Sequence, residues 1–149
     1  MTFKQKIHSQ YLQLIQDRID VFRDMIANLA EDAQNDAKGS AGDKHETALS
    51  MMHIEQEKLT QKLKENLDMK ALLEKIDPAV VSPKIALGSL VKANGITLFV
   101  SGALPKITID GVPVIALSPQ SPLGMKLLGN ENGFSFEIQS TTYHIESVF

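Results

Sequence analysis

The first 77 residues space their apolar side chains in a way that predicts two long helices. In the first helix, apolar positions follow one another at intervals of three and four: Leu12, Ile15, Ile19, Phe22, Ile26 and Leu29. Two apolar positions in seven are typical of a coiled-coil seam, which is narrower than the face of a helix covering a globular core. The second helix is less regular, because Gln56 and Asn66 interrupt its apolar positions Leu49, Met52, Leu59, Leu63 and Leu67. We therefore expect an antiparallel hairpin, with two helices packed on a compact core as the alternative.

The hairpin turn is predicted at residues 38–43, where Gly39 and Gly42 can stop one helix and permit a tight reversal. Two arms of roughly 32–36 residues, at about 1.5 Å per residue, would form a rod roughly 50 Å long.

Residues 78–149 predict a small, mostly antiparallel sheet. Alternating and β-branched runs mark six strand candidates: 89–91, 96–100, 106–109, 112–117, 134–138 and 143–148. Three dipeptides are typical of tight turns: Asn94-Gly95, Asp110-Gly111 and Asn132-Gly133. Residues 123–128 predict one short helix, stopped by Gly129. The fold class is therefore α+β.

Composition divides the chain at the same place. All 6 prolines and seven of the nine glycines follow Asp77, whereas most of the charged residues precede it. Proline breaks helices, so the proline-free part is the helical one. We expect two domains, a coiled-coil hairpin over 1–77 and a globular domain over 78–149.

Composition also excludes several classes of protein. With 149 residues, 43% of them hydrophobic and 22% charged, the chain is neither disordered nor membrane-embedded. The absence of cysteine excludes a disulfide scaffold and a thiolate metal site. A net charge of −3 argues against a surface that coats nucleic acid. We expect a cytoplasmic protein with no membrane association, since the first residues do not resemble a signal peptide.

Residues that could form a conventional pocket site are sparse. The sequence holds neither a phosphate-binding glycine loop nor a nucleophile elbow. The four histidines are His8, His45, His53 and His144. They lack the spacing of a zinc site, and we expect them to be exposed.

The predicted tip at residues 38–46 carries a pair of carboxylates. Asp43 and Glu46 are three residues apart at the start of the second helix, so they lie on nearly the same face. They could form a capping box, in which both acids serve the helix end. They could instead engage a hard divalent cation such as Mg²⁺, which often takes only one or two protein carboxylates. Both interpretations stay open at this point.

Several motifs together resemble the GreA/GreB family of transcript cleavage factors. Gly42-Asp43-x-x-Glu46-x-Ala48 is similar to the family's coiled-coil tip, and Gly88-Ser89-x-Val91 to its opening strand. The family's Ser-Pro-hydrophobic-Gly-x-x-Leu-Leu-Gly signature resembles residues 121–129, and its closing Tyr-x-Ile strand resembles residues 143–145. The resemblance covers essentially the whole chain in the family's domain order.

The resemblance implies a fold, a partner and a role for the tip. The globular part would be FKBP-like and would dock at the rim of the RNA polymerase secondary channel, while the rod enters it. Asp43 and Glu46 would then help hold a Mg²⁺ ion in the polymerase active centre, where backtracked nascent RNA is cut. The resemblance thus implies an accessory factor that is not itself an enzyme. We expect a monomer with negligible metal affinity in isolation, because two exposed carboxylates leave most of the shell of Mg²⁺ to water.

Departures from the family's pattern keep other functions open. Thr47, Leu49 and Ser50 stand where the family has Asn, Glu and Tyr, and Phe134 replaces an Asp. These changes favour, as an alternative, a regulator or inhibitor that occupies the channel without promoting cleavage. A self-associating coiled coil is a third hypothesis, and prolyl isomerase activity a weaker fourth, since fold does not imply function.

Overall fold

The structure is a computed structural model that describes the backbone of residues 1–39 and 43–149 and the side chains of residues 1–35 and 46–149. Two long helices, α1 (Phe3–Gly39) and α2 (Asp43–Glu74), come first. The remaining elements are β1 (Leu90–Ala93), β2 (Ile96–Val100), β3 (Ile107–Ile109), β4 (Val112–Leu117), α3 (Pro122–Leu127), β5 (Ser135–Ile138) and β6 (Thr141–Val148). The predicted α+β fold is confirmed. No helix in the described part of the chain is long and apolar enough to cross a membrane.

The chain divides into two compact units that share both long helices. One unit comprises Met1–Leu12 and Ala71–Phe149, and the other comprises Gln13–Lys70. The start of α1 and the end of α2 therefore belong to the unit that contains the sheet. We call these the globular unit and the helical unit.

The helical unit is a hairpin whose seam keeps the predicted spacing along α1. Along α2, the half-buried or buried positions recur at intervals of three and four: Leu49, Met52, Gln56, Leu59, Leu63, Asn66 and Lys70. Gln56 and Asn66 thus occupy the seam rather than interrupt it, and Leu67, predicted in the seam, is 37% exposed. The heptad register of the neighbouring leucines fixes these positions, whatever the polarity of each residue. The Lys70 ammonium donates to Gln16 Oε1 at 2.8 Å, which places a polar pair in the seam.

The six strands form one sheet in the order β3-β4-β2-β1-β6-β5. All neighbouring pairs are antiparallel except β2 and β4, which are parallel. The sheet is therefore mostly antiparallel, as expected, with one parallel pair. It arises because β3 forms the edge and the chain reverses at Asp110-Gly111, so that β4 returns between β3 and β2.

Both faces of the central strands are buried in the globular unit. One face packs with α3 around a core of Ile85, Val91, Ala93, Leu98, Val100, Leu117, Leu127 and Ile145. On the other face, the ring of Tyr11 from α1 stacks on Phe99 with centroids 6.0 Å apart. Burial on both sides explains why β2 ends in three consecutive buried residues rather than alternating.

Candidate functional site

The two acids predicted to act at the tip fall in the first turn of α2, which begins at Asp43. Glu46 is exposed, and among the described residues its carboxylate has no hydrogen-bond or ion-pair partner. The side chains of Asp43 and His45 lie outside the described part of the structure. Acidic groups in a first helical turn interact favourably with the helix dipole. The choice between a capping box and a cation-binding pair therefore stays a prediction.

The three residues after Glu46 that differ from the GreA/GreB pattern are all described in the structure. Leu49 is half-buried and continues the seam with Met52, whereas Thr47 and Ser50 are exposed. Leu49, at the position of the pattern's third acid, therefore serves packing in this chain.

No group of three or more His, Cys, Asp or Glu side chains close enough to hold a metal ion occurs among the described residues. Mg²⁺ is bound in octahedral geometry by oxygen ligands and usually keeps several waters. The exposed carboxylate of Glu46 is a suitable oxygen donor, but other ligands must come from outside the described part of the chain.

One histidine prediction is wrong. His8 is only 9% exposed, and its Nε2 lies 2.6 Å from the carbonyl oxygen of Leu73 in the last turn of α2. Since a carbonyl only accepts, Nε2 donates, and the Leu73 carbonyl accepts both from the imidazole and from the Ile76 amide, which donates to it at 3.1 Å where the helix ends. His53 and His144 are exposed as expected.

The Ser-Pro-hydrophobic-Gly signature, residues 121–124, forms the start of α3. Ser121 is the N-cap: its Oγ accepts from Gly124 N at 3.1 Å and donates to the carbonyl of Ser118 at 2.6 Å. Pro122 occupies the first turn, where no backbone donor is needed. A Cβ on Gly124 would lie 2.1 Å from the Ser118 oxygen, so only glycine fits there.

The rest of the signature holds α3 against the core and against the segment that precedes β1. Leu127 is fully buried, and Gly129 adopts a φ of 79°. The Gly129 amide donates to Ile85 O at 2.8 Å, and Ile85 N donates to Asn130 O at 2.9 Å. These residues are explained by the fold, so the signature specifies structure rather than chemistry.

An apolar cleft of about 370 Å³ in the globular unit was not predicted from the sequence. Its wall includes Phe3, Pro78, Val81, Leu90 and Phe149. Its one charged lining residue, Lys4, donates to the carbonyl oxygens of Val80 at 2.8 Å and Phe149 at 3.1 Å. Burial lowers the pKa of Lys4, and the nearby Asp77 carboxylate partly opposes that shift. The ammonium is therefore already hydrogen-bonded to two backbone carbonyls, and the cleft offers mainly apolar contacts.

Comparison with solved structures finds three matching chains. A solved chain described as "Structure of the transcription factor Gfh1" shares 17% sequence identity over 92% of each chain, with a TM-score of 0.36. A likeness of that size carries no argument about function. No model of a protein family matches the chain, and no curated protein matches it.

Proposed function

We propose that this protein is a transcription factor that enters the secondary channel of RNA polymerase and stimulates cleavage of backtracked RNA. The observation that carries the proposal is the pair Asp43 and Glu46 in the first turn of α2, with the Glu46 carboxylate exposed. The motifs that resemble the GreA/GreB family support it, as does their order along the chain.

The chemistry assigned to this chain is limited to its two carboxylates. In two-metal hydrolysis, bound Mg²⁺ activates the attacking water and stabilises the leaving oxygen. Asp43 and Glu46 would supply oxygen ligands to such an ion, whose other ligands belong to the polymerase and the RNA. The polymerase is the enzyme, and this chain completes its site.

The test uses stalled, backtracked transcription complexes of the cognate RNA polymerase. Wild-type protein should release short 3′ RNA fragments, and the double variant Asp43→Asn, Glu46→Gln should not. The matched control is Glu55→Gln with Asp68→Asn, which changes the charge equally at two exposed positions further along α2. Fragment release that survives in the tip variant, or that is lost equally in the control, would remove the roles given to Asp43 and Glu46.

A second function is favoured by the seam position of Leu49. Without a third acid, a tip that occupies the channel could inhibit or retune the polymerase without promoting cleavage. The assay is competition: this protein should then displace a genuine cleavage factor from the polymerase while releasing no RNA fragments itself. Fragment release at ordinary concentrations would exclude this alternative.

A further inference from the structure

We propose that two copies of this chain associate through the open edge of β5, pairing residues 134–138 antiparallel about Phe136. We call this segment the β5 edge. The inference does not depend on the proposed function, because it concerns the free protein and is tested without polymerase.

The register of β5 against β6 shows which backbone groups are free. The pairing of Ile138 with Thr141 leaves a two-residue turn, so Ile138 and Phe136 exchange hydrogen bonds with β6. The N–H and C=O groups of Ser135 and Glu137 then point away from β6. Because β5 is an edge strand of the sheet, nothing among the described residues pairs with these four groups.

One register between two copies satisfies all of these groups. When Phe136 lies opposite Phe136 of the second copy, Ser135 lies opposite Glu137, and both pairs exchange hydrogen bonds. Four new backbone bonds form across the twofold axis, as expected for an isologous interface. Shifting the axis to Glu137 would place two carboxylates directly opposite each other, which is unfavourable.

The apolar face of the β5 edge is symmetric about Phe136. The ring of Phe136 stacks on Tyr143 with centroids 5.4 Å apart and on Phe134 at 6.2 Å. Phe134 is nevertheless 45% exposed. In the proposed register, Ile138 of the second copy covers Phe134, and the two Phe136 rings become neighbours. Aromatic and β-branched cross-strand pairs of this kind stabilise sheets.

The polar face is complementary in the same register. Ser135 Oγ lies 2.8 Å from His144 Nδ1, and both side chains are exposed. Glu137 of the second copy would lie opposite Ser135 and approach this pair, where its carboxylate can accept a hydrogen bond. A charged side chain on an edge strand usually discourages pairing, but here it meets a hydroxyl and an imidazole.

The contact is small, since each copy contributes only five residues. It falls below the size of standard stable interfaces, and we expect a dissociation constant on the order of 100 µM. Sedimentation velocity from about 10 µM to 1 mM should therefore show a shift from the 16.4 kDa monomer toward twice that mass.

The diagnostic variant is Ser135→Pro, which removes one outward N–H from the β5 edge. Proline is tolerated at edge positions whose N–H faces solvent, so the monomer should still fold while dimerisation weakens at least tenfold. Thr108→Pro is the matched control. Thr108 occupies the equivalent outward position of β3, the opposite edge, and pairs with Pro113. This control should dimerise like the wild type.

A second variant keeps the test decisive if Ser135→Pro fails to fold. Glu137→Lys places an ammonium group beside Ser135 and His144 of the second copy, and it should also weaken dimerisation about tenfold. A protein that stays monomeric at 1 mM overturns the proposal. So does association that persists in both β5 variants, which would locate the contact outside the β5 edge, or equal weakening by Thr108→Pro.

Discussion

Replacing Gly124 with alanine is predicted to destabilise the globular unit, although alanine is the better helix former. Gly124 lies in the first turn of α3, where the helix begins against the Ser118 carbonyl. The added Cβ would lie 2.1 Å from that oxygen and 3.0 Å from the Cα of Pro119. Both neighbours are backbone atoms, so no rotamer change can relieve the clash.

The expected loss of stability combines three terms. Overpacking that forces backbone shifts typically costs about 1–3 kcal/mol. Moving Ser118 away from α3 also strains the two hydrogen bonds that Ser121 donates to the Ser118 carbonyl, from Oγ at 2.6 Å and from the backbone N at 3.0 Å, each contributing about 1 kcal/mol. Alanine's helix propensity returns about 1 kcal/mol. The free energy of unfolding should therefore fall by about 2–4 kcal/mol.

The assay is urea denaturation followed by NMR signals of β-strand amides, because circular dichroism at 222 nm is dominated by α1 and α2. The control is Gly95→Ala, where a Cβ meets nothing within 4 Å and only the positive φ of 73° opposes the change. That variant should lose about 1–2 kcal/mol. A Gly124→Ala protein as stable as the wild type would show that the Ser118 carbonyl does not exclude a side chain.

Three further predictions concern single contacts in the globular unit. Burial raises the pKa of Tyr11 to about 12, so the stability that the neutral phenol provides is present below pH 10 and lost as the pH rises through 12. Absorbance titration should show this late tyrosine, and Tyr11→Phe should abolish it. Replacing Gln139-Ser140 with Asn-Gly should raise the melting temperature, since both residues have positive φ, of 47° and 68°; an unchanged or lower value would contradict this. The exposed Lys6–Asp110 ion pair, at 2.8 Å, should contribute less than about 1 kcal/mol in a double-mutant cycle, and a larger coupling would show that it is not solvent-screened.

The turns show which parts of the fold the local sequence can predict. Asn94-Gly95 and Asp110-Gly111 form the predicted hairpins, with positive φ at all four residues. Asn132-Gly133 does not connect two strands: it precedes β5, and the Gly133 amide donates to Ile145 O at 2.8 Å. The hairpin between β5 and β6 instead turns at Gln139-Ser140, which no dipeptide preference indicates. The hydrogen bonds between β5 and β6 outweigh the unfavourable φ values at Gln139 and Ser140. The residues of the turn alone do not reveal that pairing, so the turn could not be predicted from them.

Long-range packing explains the other differences. The sequence around His8 is typical of an exposed helical position. Its hydrogen-bond partner, the Leu73 carbonyl, lies at the end of α2, far away along the chain. The parallel pairing of β2 with β4 likewise depends on which strand lies beside β2 in the sheet. The residue pattern of either strand alone does not indicate this neighbour. Gln56 and Asn66 occupy seam positions because their neighbours define the register.

The motif residues divide into two groups once their contacts are known. Gly124, Ser121 and Leu127 each have a structural reason for their identity: a close approach, a cap and a buried side chain. Any chain with this globular unit needs them, whatever it does. Glu46 is exposed and has no partner among the described residues, whereas the Asp43 side chain of the possible capping box lies outside them. Glu46→Gln should accordingly leave the free energy of unfolding within about 0.5 kcal/mol of the wild type. If stability is unchanged and RNA cleavage is lost, the loss belongs to the carboxylate's chemistry; a clear loss of stability would instead favour the capping interpretation.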